Sequence, residues 1–213
     1  MELRPHDLVE MKDGEEAPSM AQNISWLEET LRYPCWTVVR RAPQTEDSFP
    51  AGFRGRSRGE RFACYLSKKN IKKVVTPESI VTEKRWKKHR SLVNQGLFES
   101  LEMVDQIMSK NHLCWGPGGS SGFELATGLP SVSETSDIDI IIRAPYPLDK
   151  YLAASIVDEL STIETRIDAQ VETPEGAFSL IEFAREDSRI LLRTSEGPML
   201  TESPWGKRQV VDP

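Results

Sequence analysis

The chain has little that would cross-link it or carry it through a membrane. Nowhere in its 213 residues do apolar residues run uninterrupted for the length a bilayer requires. The amino terminus, MELRPHDLVEMKDGEE, has early acids and no apolar core of a secretory signal, so cytoplasmic residence is the default expectation. Cysteine is scarce: Cys35, Cys64 and Cys114 are odd in number, widely separated and form no CxxC, which argues against a disulfide framework or a zinc site and for small core residues. His6, His89 and His112 show no ligand or triad spacing. Internal repeats and low-complexity tracts are missing too. What remains, 38% hydrophobic and 28% charged, is the composition of an ordinary globular protein with room for one domain and an appendage or two small domains.

The net charge of −6 conceals a segregation. From Arg54 to Arg90 the chain carries thirteen Lys and Arg against three Asp and Glu, whereas acids outnumber bases before and after this stretch. Such a basic middle section suits a polyanionic partner such as phosphates or an acidic protein surface, and equally suits a solvated face.

The first part reads as β-rich and irregular. CWTVVRRA (Cys35 to Ala42), the long run from Phe49 to Ser67, and IKKVVTP (Ile71 to Pro77) supply β-favouring residues punctuated by Gly52, Gly55 and Gly59. Thr76-Pro77-Glu78 has the form of an N-cap followed by proline at the first helical position, so a helix is predicted to start there. Leu97, Leu101, Val104 and Met108 recur at helical spacing. Beyond them strands and helices alternate. Asp137 to Arg143 reads as a strand, Leu152, Ile156, Leu160 and Ile163 define a second amphipathic helix, and Arg166 to Glu172 alternates as a strand. Thr173-Pro174-Glu175 repeats the cap-and-proline signature for a helix to about Ala184, and ILLRT (Ile190 to Thr194) reads as a last short strand. The expected class is α+β: a small β-rich N-terminal domain over residues 1–80, suited to binding a substrate or partner, then a mixed sheet with packed helices over 81–213.

The chemistry concentrates at SDIDIII, where Asp137 and Asp139 stand two residues apart on a hydrophobic strand. A strand repeats its facing every two residues, so both carboxylates leave one side while Ile138 and Ile140 leave the other. Hard oxygen ligands so placed suit magnesium, which needs only one or two carboxylates besides substrate phosphates and water. Asp168, on the polar face of RIDAQVE, is the candidate third metal ligand. Upstream lies WGPGGSSG, whose Gly116, Gly118, Gly119 and Gly122 let backbone N–H groups approach phosphate oxygens, with the hydroxyl of Ser120 as a further donor. Arg54 and Arg56, in an alternating arginine series with Arg58 and Arg61, are candidate phosphate grips, and Arg193 is an additional one. KRWKKHR (Lys84 to Arg90) reads as a solvated helical face or a dock for an acidic partner. Trp115, beside the glycine turn, is a candidate border for an adenine pocket, while the other tryptophans read as packing residues.

A Gly-Ser turn followed by Asp-x-Asp on a strand resembles the polymerase-β-like nucleotidyltransferase superfamily. Within it, WGPGGSSGFELATGLP, SDIDIIIRAPYPL, DAQVETPEGAFSLIEFA and ILLRTSEGP, together with RPHDLVEM, VVRRAP and PAGFRGRSRGERFA, resemble malonate decarboxylase holo-[acyl-carrier-protein] synthase, the phosphoribosyl-dephospho-CoA transferase family, over nearly the whole chain. The resemblance implies transfer from 2′-(5″-triphosphoribosyl)-3′-dephospho-CoA to a serine of the decarboxylase's acyl-carrier subunit, with magnesium or manganese as cofactor. It places the catalytic aspartates on Asp137 and Asp139 and the phosphate-binding pair on Gly119 and Ser120. Sixteen residues separate Ser120 from Asp137, more than in the broad superfamily. Neither a membrane nor a nucleic acid is an expected partner. The rival readings are another nucleotidyltransferase acting on RNA, a small molecule or a different protein, a related synthase serving citrate lyase, and an inactive binding module that retains the fold.

Overall fold

The computed structural model describes residues 2–12, 24–31, 34–55, 59–88, 95–133, 135–185 and 189–206. The chain divides into two compact units, Met1–Ser79 and Ile80–Pro213.

In the first unit, β1 (Leu8–Met11) is followed by the short helix α1 (Ser25–Thr30), then by β2 (Trp36–Val39), β3 (Ser48–Arg54), β4 (Arg61–Ser67) and β5 (Ile71–Val75). The strands form one antiparallel sheet in the order β4-β3-β2-β1-β5. Val9, Val39, Phe49 and Ala51 make one buried cluster, and Leu27 of α1 packs with Phe53 in a second. Phe49 and Leu27 are fully buried, and each such side chain stabilises the fold by roughly 1.5–3 kcal/mol.

The helix α2 (Pro77–Thr82) begins where its signature predicts: Ser79 N donates to Thr76 Oγ1 at 3.1 Å, with Pro77 at the first position. The second unit continues with α3 (Arg85–Lys88), α4 (Gln95–Lys110), β6 (Cys114–Pro117), α5 (Gly119–Thr127), β7 (Ile138–Arg143), α6 (Lys150–Ser161), β8 (Ile167–Glu172), β9 (Ala177–Ser179), α7 (Leu180–Ala184), β10 (Ile190–Arg193) and β11 (Pro198–Thr201). Its sheet runs β11-β10-β9-β8-β7-β6, and only β7 and β8 are parallel. A parallel pair needs a crossover, which α6 provides. That helix starts where the Asp149 carboxylate accepts from Tyr151 N and Leu152 N, and it buries Ala153, Ile156 and Leu160 at helical spacing.

One face of this sheet is apolar: Ile138, Ile140, Ile142 and Val171 are fully buried. Trp115, paired with Ile142, belongs to the same face, and its indole donates to Asp105 of α4 at 3.3 Å. Leu97, Leu101, Val104 and Met108 of α4 are all buried, as their spacing predicts, and α4, α6 and α7 pack in series. The opposite face carries Asp139, Asp168 and Gln170 around the buried Ile141, and it is the face of the candidate site.

The helix expected to start at Thr173 does not form. Thr173 Oγ1 instead accepts from Glu175 N and Gly176 N and donates to Pro204 O, closing a turn that folds β9 back antiparallel onto β8. A cap-and-proline signature also suits a turn, and here pairing of β9 with β8 and β10 outweighs helix formation. Helix α7 begins only at Leu180.

Candidate active site

β6 carries the chain to Pro117, and the turn that follows is pinned to β7: Gly118 N donates to Asp139 O at 2.8 Å. Gly118 is the extended N-cap of α5, and Gly119 takes the left-handed φ of +54°. The carboxylate of Asp139 lies directly against Gly119, so a Cβ there would overlap it and would stand 3.1 Å from Asp139 Cβ. Gly122 packs on the carbonyl of Pro117, and its N–H donates to Gly118 O at 2.7 Å, closing the first turn of the helix. Ser121 is buried and donates to Gly118 O at 3.1 Å, while the half-buried Ser120 sits one residue nearer the turn.

The parallel register of β7 and β8 aligns Asp139 with Asp168. Paired strands lie about 4.8 Å apart, so the two carboxylates leave neighbouring positions on one face. Asp137, just before β7, is 47% exposed and faces the exposed guanidinium of Arg166 at 3.8 Å. Among the described residues, no three His, Cys, Asp or Glu side chains converge closely enough to cage an ion by themselves.

Further along this face a polar chain crosses the sheet. Arg143 faces the buried Glu172 at 3.8 Å, Gln170 Nε2 donates to Glu172 Oε1 at 2.8 Å, and Arg193 Nη1 donates to Gln170 Oε1 at 3.2 Å. Arg193 therefore shares the face of Asp139 and Asp168. Arg54 lies in the first unit at the end of β3, cross-strand from Arg61, and Arg56 falls outside the described residues.

Two expectations about neighbouring residues change. Trp115 does not border this face: it is 3% exposed on the opposite one, its ring 6.2 Å from Trp86. Of the basic run Lys84 to Arg90, His89 and Arg90 fall outside the described residues and Lys87 and Lys88 are exposed as a solvated face requires, but several members are also engaged within their own unit. Lys84 pairs with Asp105, Lys87 Nζ lies 3.0 Å from Glu102, and Trp86 Nε1 donates to Glu102 at 3.0 Å. Arg85 Nη1 donates to Ala126 O at 3.2 Å, meeting the carbonyl end of α5. The Trp86 bond, with help from Lys87, holds the Glu102 carboxyl below its ordinary range.

Glu124 escaped the sequence reading. It is buried, and its Oε2 accepts from Ser131 N and Val132 N, both at 2.8 Å, tying the long connection between α5 and β7 to the helix. A glutamate in the helical pattern carries no sign of such a role. The role of Gln170 escaped it as well, because its link to Arg193 joins strands 23 residues apart, although its other partner, Glu172, lies on the same strand.

An acid pair on an open sheet face, with a glycine turn seated on one acid and opening a helix, is the arrangement expected of a transferase of the nucleotidyltransferase type. The sequence matches the family descriptions "Phosphoribosyl-dephospho-CoA transferase MdcG N-terminal domain" over residues 4–77 and the corresponding C-terminal domain over 85–204. Curated relatives named phosphoribosyl-dephospho-CoA transferase include one from Klebsiella pneumoniae, 35% identical over 97% of this chain and 98% of its own length. Others come from Pseudomonas syringae pv. tomato, at 33% identity over 97% and 95%, and Azotobacter vinelandii, at 31% over 95% and 94%. No solved structure matches the chain. The chain belongs to the phosphoribosyl-dephospho-CoA transferase family.

Proposed function

We propose that the chain transfers the 2′-(5″-phosphoribosyl)-3′-dephospho-CoA group from its 5″-triphosphate donor to a serine of the malonate decarboxylase acyl-carrier protein. The serine oxygen forms a bond to the α-phosphorus, the bond from that phosphorus to the bridging oxygen breaks, and pyrophosphate leaves with the electron pair. The hydroxyl proton passes to solvent as the oxygen attacks.

The observation that carries this reading is the seating of Gly119 on Asp139, with Asp168 in register beside it. It sets a side-chain-free backbone approach against carboxylates, the pairing a metal-bound triphosphate requires. The residues fit magnesium or manganese: Asp137 and Asp139 would hold the ion, with Asp168 as a further oxygen ligand and phosphates and water completing the shell. When bound, the ion supplies a lowered pKa for the attacking hydroxyl and neutralises charge on the departing pyrophosphate. The chain's own part is to orient. The N–H groups opening α5 and the hydroxyl of Ser120 hold the outer phosphate oxygens, and the packed glycines keep that approach clear.

Arg54 is assigned to an anionic group of donor or carrier: it is exposed at the end of β3, cross-strand from Arg61, so two basic side chains are available at one spot. A cytoplasmic setting suits the reading, since Cys35, Cys64 and Cys114 are all free thiols. Among the described residues no helix is long and apolar enough to cross a membrane.

The test is the intact mass of apo carrier protein after incubation with enzyme, donor and magnesium. Wild-type enzyme should add the prosthetic group and release pyrophosphate. Asp137→Asn and Asp139→Asn should each slow transfer by at least about 100-fold, since metal-assisted charge stabilisation is worth several kcal/mol. Transfer at the wild-type rate in both variants would remove the aspartates from the mechanism. Nucleotide transfer from ATP onto RNA, with none onto carrier, would replace the function.

A further inference from the structure

Beyond the acids, the polar face runs on to β10 and β11, where the proposed chemistry places no group of its own. Arg193 and Leu191 alternate with the buried Ile190 and Leu192, so the two exposed residues of β10 share the face of Asp139 and Asp168. Leu191 pairs directly with Leu200 of β11, which places Leu200 on the same face. These leucines are 38% and 61% exposed. A pair of large apolar side chains side by side near the open edge of a sheet is a surface that proteins normally cover.

Its position relative to the chemistry says what covers it. In phosphoryl transfer the attacking and leaving oxygens lie roughly in line across phosphorus. The leaving pyrophosphate belongs at the Gly119 turn, on the β6 side of Asp139. The acceptor therefore approaches from the other side, over β8 and toward β10. We infer that the exposed face of β10 and β11, formed by Arg193, Leu191 and Leu200, is where the carrier protein docks beside its acceptor serine; this rests on the function proposed above.

Arg193 is prepared for a carboxylate. The buried Glu172 takes the Gln170 amide N–H, which turns the Gln170 carbonyl oxygen toward Arg193, and one guanidinium N–H donates to it. Ala177, fully buried and paired with both Glu172 and Arg193, is small enough to let the long side chain lean across β9 toward Gln170. Gln170 is thus a positioning residue: it fixes the guanidinium of Arg193 without touching the reacting atoms. Such a fork, ordered in advance and flanked by two leucines, matches a partner surface that presents a carboxylate beside an apolar contact.

The inference predicts a split between the two substrates. Binding of apo carrier and of donor to the full-length enzyme is measured separately by calorimetry, and KM for each in the mass assay. Arg193→Glu and the double variant Leu191→Ser/Leu200→Ser should weaken carrier binding by about tenfold or more and leave donor affinity unchanged, which also shows that the variants are folded. Arg193→Lys should recover part of the loss, and Gln170→Ala should raise carrier KM several-fold with little change in kcat. Unchanged carrier affinity in the first two variants overturns the inference. A selective loss of donor affinity overturns it as well, and returns Arg193 to the role of a phosphate contact. Wild-type enzyme that neither binds nor modifies carrier overturns the function itself, a result that needs no variant to recognise.

Discussion

Gly119 and Gly128 both adopt left-handed backbone, with φ of +54° and +76°, yet a methyl group would mean different things at each. At Gly128, the C-cap of α5, an added Cβ meets nothing within 4 Å, so Gly128→Ala should cost only the backbone preference, about 1 kcal/mol, and leave transfer intact. At Gly119 the same Cβ falls inside the Asp139 carboxylate, which must move. Displacement of a catalytic group by about 1 Å can cost on the order of 100-fold, so Gly119→Ala should abolish most transfer. Comparing initial rates by carrier mass and stabilities by thermal melt separates the two effects. Equal rates for the two variants would dissociate the turn from the reaction.

Among elements, the connection from α5 to β7 owes its path to one buried carboxylate. Glu124→Ala would remove both hydrogen bonds to the Ser131 and Val132 N–H groups and should destabilise the protein by about 1–2 kcal/mol, read by denaturant titration. A loss below about 0.5 kcal/mol would mean the connection is held by other means. Elements with a strong period were legible in the chain: α4 through Leu97, Leu101, Val104 and Met108, and β7 through its alternation. The turn at Thr173 was misread because capping chemistry serves turns and helices alike. Adjacency across the sheet was less legible still. Periodicity places Asp168 on a polar face, but only the order β9-β8-β7-β6 sets it beside Asp139, and strand order leaves no local trace. The pairing of Lys84 and Lys87 was illegible for a related reason, since their acids, Asp105 and Glu102, lie on α4.

At the scale of the whole molecule, the two units carry their own reporters. Burial pushes the Cys35 and Cys64 thiols of the first unit up to about 11, and the proximity of Cys64 adds to the shift at Cys35. Near pH 7.5 only on the order of a few in ten thousand would be thiolate, while Cys114 of the second unit is exposed. Iodoacetamide should therefore modify Cys114 first and the half-buried Cys35 and Cys64 more slowly, the gap closing as the first unit unfolds. The sign of the pH effect follows: the unfolded chain ionises these thiols first, so stability of the first unit should fall as pH rises from the ordinary thiol value of 9.0 toward 11. Equal labelling of all three cysteines in native protein would contradict the burial. The parallel pairing of β7 with β8 has a different kind of consequence. Because α6 must be formed and packed before the two strands can meet, neighbouring Asp139 and Asp168 are a product of long-range closure, not of local structure. An incompletely folded chain would hold its glycine turn and one acid without the other, so catalytic competence should emerge among the last events of folding, after most secondary structure is already in place.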